Sequence, residues 1–222
     1  VTKTEYEPDG KCTLLLNVLS PEECGMIIRT CEEIGFELAG EQGFHTFAGL
    51  AIGGDRYRIN NDVRNNARVI VDDIAFAKRL FGRVRKWLVA ECNDCVVSGL
   101  NERLRIYRYK AGERFTIHRD QTFTRMEGGT DAERTYFSFM IYLNQEFDGG
   151  YYVVFPQSRR RAPKPKSAKV AKPQSLRPNT KYAVKPVTGS ALVFDHNLLH
   201  EGSDVNSGVK YAIRSDVFYT PR

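Results

Sequence analysis

From residue 101 onward the chain is written in strands. "LRIYRY", "YFSFMIYL", "YYVVF", "ALVFD" and "VKYAIRSDVFY" are rich in β-branched and aromatic residues, with turn-forming residues between them. Two helical patterns precede them. In "SPEECGMIIRTCEEIGF", Ser20 can cap, Pro21 suits the first helical position and Glu23 completes a capping box. Its apolar stripe is Cys24, Ile27, Ile28, Cys31 and Ile34. A second helix is predicted through "DDIAFAKRLFGRVRKWLVAEC", with Ile74, Ala77, Leu80, Phe81, Val84 and Trp87 or Leu88 on one side. Helices first and strands afterwards predict an α+β chain with a β-sandwich or barrel at its C-terminal end.

The 222 residues suit one domain. Residues 1–98 read as mainly helical support, 99–222 as the β core, and about 157–185 as a basic, flexible insertion. That insertion holds ten Lys/Arg, four Pro and no acidic residue, so the remaining 23 basic and 27 acidic residues leave the rest of the chain at −4 within a total of +6. Its basicity fits an anionic partner, an acidic protein, a nuclear-localisation-like "RRRAPKPK" or a solvated insertion. Nucleic acid is not favoured, because no stacking aromatics interleave the cations. No apolar run approaches the ~18 residues of a membrane span, and no secretory signal is visible, with a segment upstream of Val1 left open. The five cysteines are odd in number, and reduced thiols and an intracellular setting, cytoplasmic or nuclear, are expected. Cys92 and Cys95 form a CxxC without a second Cys/His pair at zinc spacing, and read as small residues at the end of a helix.

Chemistry concentrates in "TIHRDQTF". On a strand, residues two apart share a face, so His118 and Asp120 can converge. Imidazole and carboxylate suit a divalent first-row metal. Only four histidines exist, His45, His118, His196 and His200, and His200 in "HNLLHEG" is the best third ligand. Two His and one carboxylate on one side of a metal leave positions open for co-substrate and dioxygen. Farther on, Lys210 and Arg214 share a face and can each meet a carboxylate.

Taken together, "RIYRYKAGERFTIHRD", "IYLNQEFDGGYYVVFP", "GSALVFDHNLLHEG" and "GVKYAIRSDVFY" resemble, in order, the iron(II)- and 2-oxoglutarate-dependent dioxygenases of the prolyl 4-hydroxylase type. The likeness covers about residues 99–219. "DVRNNARVIVDD" and "GLNERLRIYRY" extend it toward residue 57. The resemblance implies a double-stranded β-helix (jelly roll) buttressed by N-terminal helices. It implies iron held by His118, Asp120 and His200, and Lys210 pairing with the 5-carboxylate of 2-oxoglutarate. Tyr142 and Tyr109 match tyrosines of the same pocket, and Arg214 matches a position behind it. Two departures lie beside the site mouth: "YYVVF" where a Thr-containing strand is usual, and the long basic segment.

The implied reaction is oxidative decarboxylation of 2-oxoglutarate to succinate and CO2 coupled to oxygen insertion, with Fe(2+), 2-oxoglutarate and O2 required and ascorbate as an auxiliary reductant. Hydroxylation of a peptidyl proline or related substrate is the leading expectation. A free amino acid, another small metabolite or a nucleic-acid base is the alternative, and a non-catalytic binding module on the same scaffold is less favoured because all three ligands and the lysine are present. Arg119, Arg125, Asn101 and Arg105 are candidate substrate contacts. His196 reads as structural. His45 falls in a glycine-rich stretch that could close over substrate.

Overall fold

The computed structural model describes residues 1–38, 45–47, 50–52, 64–127, 130–156 and 180–222. Most of the basic segment and most of the glycine-rich stretch around His45 therefore lie outside the described residues, apart from a short backbone hairpin, His45–Phe47 with Leu50–Ile52.

Two antiparallel sheets face each other. The larger runs, in spatial order, through Thr2–Glu7, Cys12–Leu16, Ala191–Asp195, Thr130–Tyr142, Val209–Pro221, Arg103–Lys110, Ala67–Asp72 and Glu37–Leu38. The smaller runs through Phe115–His118, His200–Gly202, Tyr152–Val154 and Tyr182–Val184. This is the jelly-roll arrangement expected of the β core.

The period of two decides what each face of the larger sheet does. Leu104, Ile106, Phe137, Phe139, Ile141, Ile213 and Val217 turn to one side and share a core with Cys24, Cys31, Ala77, Leu80 and Val84 of the helices. Their neighbours Tyr107, Tyr109, Ser138, Tyr142, Lys210, Ala212 and Arg214 take the other face, toward the smaller sheet. A one-residue slip would turn the charged set into the helix-facing core, so the register is strongly specified.

The first helix, Pro21–Ile34, begins with the predicted capping box: the Ser20 side chain accepts from Glu23 N–H, and the Glu23 carboxylate accepts from Ser20 N–H. The second is shorter than expected. It spans Ile74–Val84, capped by Asp73, and tightens into a 3-10 turn at Arg85–Trp87 before Leu88 becomes extended. Ile74 begins this helix exposed, so the buried stripe is Ala77, Leu80 and Val84. Cys92 and Cys95 are not at a helix end. They face each other across a hairpin whose two turn residues, Asn93 and Asp94, have φ of 50° and 60°, as a tight primed turn requires. All five cysteines are free thiols. Residues 1–98 are also less helical than expected, since Thr2–Glu7, Cys12–Leu16, Ala67–Asp72 and Cys95–Leu100 join the larger sheet. Among the described residues no helix is long and apolar enough to cross a membrane.

Candidate metal and co-substrate site

The site lies between the sheets. His118 ends the strand Phe115–His118, and His200 begins His200–Gly202; the two are register partners in the smaller sheet. Asp120 is not on the strand, as the i, i+2 reading had it. The strand stops at His118, and Asp120 is brought back by a hydrogen bond from its N–H to the His196 carbonyl at 3.1 Å. The three side chains still converge, with one donor atom from each lying within 4.8 Å of the others. His118 Nε2 is 3.5 Å from Asp120 Oδ1, and His200 Nε2 is 3.9 Å from Asp120 Oδ2.

Both imidazoles are held by the nitrogen that points away. His118 Nδ1 lies 2.7 Å from the Thr116 carbonyl and His200 Nδ1 2.8 Å from that of Leu198. A carbonyl there requires Nδ1–H, which turns Nε2 of each ring toward Asp120. Burial pushes His200 down to about 3, with His118 adding to the effect, so it is neutral at physiological pH. Burial would raise Asp120, but Arg214 and the two histidines outweigh it and hold its carboxyl well below the usual range. A neutral His200 imidazole and an ionised Asp120 carboxylate are the protonation states a divalent metal needs. The rings are packed in place: Phe115 stacks on His118 with centroids 3.6 Å apart, and Tyr152 on His200 at 4.9 Å.

Behind Asp120 stands a charged relay. Ser138 donates to Asp120 Oδ2 at 2.5 Å, and Arg214 Nη2 lies 3.3 Å from the same oxygen. Arg214 also reaches Asp216 at 3.2 Å, and His196 Nε2 is 3.5 Å from Asp216. Burial would lower the Arg214 pKa, but Asp120 and Asp216 raise it further. His196 thus supports the site from behind, in line with a structural role.

Lys210 is different. It is buried, its ammonium donates to the Gly150 carbonyl at 2.6 Å, and no carboxylate lies against it among the described residues. Burial alone pushes it down to about 7. The rings of Tyr109 and Tyr142 flank it, each centroid 5.4 Å from Nζ. The Tyr142 hydroxyl is itself buried, with no hydrogen-bond partner among the described residues. Lys210 and His200 follow one another closely in the chain but do not sit on paired strands. They belong to opposite sheets and meet across the sandwich.

A pocket between the two sheets joins these groups. His118, Asp120, His200, Lys210, Arg214 and Tyr109 line it; Tyr142 does not, although its ring flanks Lys210. Tyr107, Phe115, Met140 and Tyr152 also line it and were not singled out from sequence. None of the four proposed substrate contacts does. Asn101 is buried in the backbone network, accepting from Arg103 N–H and Ser215. Arg125 is tied to Glu102 and Glu133, Arg119 to the Asn197 carbonyl, and Arg105 lies behind the wall, 3.7 Å from Asp216.

The donor set fits iron(II), and the unpaired buried ammonium at the other end of the cavity fits a dicarboxylate that also reaches the metal.

Comparison with known proteins agrees. Three solved structures share the fold. They are a viral collagen prolyl hydroxylase from Paramecium Bursaria Chlorella virus-1 (TM-score 0.53, 17% identity, 96% of this chain and 98% of that one), a Pseudomonas putida prolyl-4-hydroxylase (0.56, 14%, 96% and 93%) and a Trichoplax adhaerens prolyl hydroxylase bound to a hypoxia inducible factor peptide (0.58, 14%, 94% and 83%). No curated protein matches the sequence. The description of the 2OG-Fe(II) oxygenase superfamily matches residues 104–215, which carry every candidate ligand and Lys210. The chain belongs to that superfamily and is a 2-oxoglutarate-dependent dioxygenase that uses Fe(2+), 2-oxoglutarate and O2.

Proposed function

We propose that this enzyme hydroxylates a prolyl residue of a peptide, or a closely related substrate, with His118, Asp120 and His200 holding the iron. The observation that carries the site assignment is Lys210, a buried ammonium with one carbonyl partner and no described counter-anion. Leaving such a charge unpaired is costly, and an incoming carboxylate offsets that cost. Lys210 is therefore the group that receives the 5-carboxylate of 2-oxoglutarate, with Tyr109 and Tyr142 confining it. The prolyl part of the reading draws support from the fold shared with three prolyl hydroxylases, one of them solved with a peptide.

When bound, iron and 2-oxoglutarate supply the oxidation: the oxoacid is decarboxylated to succinate and CO2, and one oxygen atom is delivered to a substrate C–H bond. The chain's own part is positional. Thr116 and Leu198 carbonyls fix the imidazole tautomers. Ser138 and Arg214 fix the Asp120 carboxylate. Phe115, Met140 and Tyr152 line the chamber with apolar surface and exclude water.

The test is to incubate the iron-loaded enzyme with 2-oxoglutarate and a library of proline-containing peptides. Substrate-stimulated succinate release with a gain of one oxygen on proline is the expected result. Robust uncoupled succinate formation with no proline-dependent stimulation would turn the reading toward a free amino acid or another small metabolite.

A further inference from the structure

We propose that Arg64 is a positioning residue for the metal site: its guanidinium clamps the rings of Phe115 and Tyr107, of which the first holds His118 and the second meets Arg214 behind Asp120. This rests on the metal-site reading above and adds a residue to it. Arg64 lies outside the matched family residues, 104–215, and does not line the pocket, so its effect on the metal passes through the groups it touches.

The segment that carries Arg64 is fastened to both sheets. A single antiparallel bridge pairs Arg64 with Phe115, at the edge of the smaller sheet. Its Nε donates to Asn66 Oδ1 at 2.6 Å, and Asn66 Nδ2 donates to the Ala67 carbonyl at 2.8 Å, where the strand Ala67–Asp72 of the larger sheet begins. Asn65 Oδ1 accepts from Arg114 N–H at 2.9 Å, one residue before the strand that ends in His118. Anchored in this way, the guanidinium lies 4.3 Å over the Tyr107 ring and 4.9 Å over that of Phe115. Two rings and an amide are its partners, so the contact depends on the planar stacking face of a guanidinium rather than on an ion pair.

Two short paths lead from there to metal ligands. Phe115 stacks on His118 with centroids 3.6 Å and planes 17° apart, so the tilt of one ring sets the tilt of the other. Tyr107 is buried, and its hydroxyl lies against both Arg64 and Arg214. Arg214 in turn is 3.3 Å from Asp120 Oδ2. His200 is held by other rings, Tyr152 and Phe194, with centroids 4.9 Å from each. Ligand side chains must keep their working orientation to within roughly 10–20°. Arg64 is the fixed body against which the His118 and Asp120 sides of the site are set.

The test titrates Co(II), without oxygen, into the full chain and its variants. Affinity and the visible absorption of the bound ion are read at a temperature well below every thermal midpoint. Arg64→Gln should weaken Co(II) binding about 10- to 100-fold, the usual cost of losing a group that orients a ligand, and should shift the absorption band. Arg64→Lys, which keeps the charge but not the planar face, should recover part of the affinity. In a double-mutant cycle of Arg64→Gln with Phe115→Leu the two losses should fall short of additive, since both break the same contact. A merely structural role would lower the thermal midpoint and leave the affinity and absorption of the folded protein at wild-type values; that result in Arg64→Gln overturns the inference. Should Arg64→Gln not fold, Arg64→Lys decides: binding weaker than wild type upholds the inference, and equal binding overturns it. A wild-type protein that binds no Co(II) overturns the metal-site reading and this inference with it, whereas wild-type binding that the Arg64 variants leave unchanged overturns this inference alone.

Discussion

Arg214 Nη2 lies 3.3 Å from Asp120 Oδ2, while Lys210, four residues earlier on the same strand and the same face, touches no carboxylate among the described residues. Face and strand alone make the two cations equivalent. Their partners do not: one guanidinium is spent on orienting a metal-site carboxylate, and one ammonium is left for a ligand.

Substitution should separate the two roles. Lys210→Ala removes a charge-assisted hydrogen bond, worth about 1.5–3 kcal/mol. It should raise the 2-oxoglutarate requirement about 10- to 100-fold and leave metal affinity little changed. Arg214→Gln should act in the opposite order, weakening metal binding by about 10- to 100-fold, the usual cost of losing a group that orients a ligand. Metal titration and succinate assays on both variants decide. The assignment fails if Arg214→Gln shifts only the 2-oxoglutarate requirement.

His200→Ala should reduce iron(II) affinity by more than about 100-fold, beyond the cost of losing a supporting group. The ring it removes also packs between Tyr152 and Phe194, centroids 4.9 Å from each. A stability loss is therefore expected alongside, and His200→Gln, closer in volume, serves as the control. Equilibrium dialysis with stoichiometric iron retained in both variants would remove His200 from the ligand set.

What the sequence revealed follows from how local each signal is. Arg103–Lys110, Thr130–Tyr142, Ala191–Asp195 and Val209–Pro221 were readable because β-branched and aromatic residues crowd them, whereas Thr2–Glu7, Cys12–Leu16 and Ala67–Asp72 of the same sheet fall in the stretch read as helical support. Pro21–Ile34 was readable because its capping box lies within four residues. His118, Asp120 and His200 were readable as a donor set, although Asp120 reaches the site through a backbone bond to His196 that no periodicity encodes. The opposition of His200 and Lys210 across the sandwich was not readable, because strand pairing over long separations leaves no mark in either segment. Nothing in the sequence singles out Tyr107, Phe115 or Arg64; only the fold stacks Phe115 on His118 and sets Arg64 over the rings of Tyr107 and Phe115. The hairpin at Cys92 and Cys95 did carry a signal, Asn93–Asp94, which the apparent helical pattern before it masked.

Gly150 ties the lysine to the turn. Its φ is +62°, and an added Cβ would lie 3.0 Å from a Phe147 ring carbon and 3.1 Å from Lys210 Cδ. Its carbonyl is the acceptor for Lys210 Nζ. Left-handed backbone costs a non-glycine residue about 1–2 kcal/mol, and the contacts push directly on the lysine stem. Gly150→Ala should lower the thermal midpoint and raise the 2-oxoglutarate requirement together. An effect on stability with unchanged 2-oxoglutarate binding would show that the turn does not set the lysine's position.

The same lysine predicts a pH dependence whose sign can be worked out. Without ligand, burial holds Lys210 near 7, well below the ordinary 10.5. A carboxylate placed against the ammonium favours the charged form and raises that pKa in the complex. Between about 7 and the raised value, binding must therefore take up a proton. Affinity for 2-oxoglutarate should be highest near neutrality and fall by up to about tenfold per pH unit above it, the slope for one linked proton. His200, held neutral down to about 3, does not titrate in this window. Calorimetry of 2-oxoglutarate binding to the Mn(II)-loaded protein, in buffers of different ionisation enthalpy at pH 7 to 9, measures the uptake directly. Lys210→Arg, whose guanidinium stays protonated throughout, should flatten the profile. A pH-independent affinity with no proton uptake in the wild-type protein would mean that the ammonium is already charged before the ligand arrives, and that a counter-anion from elsewhere in the chain holds it so.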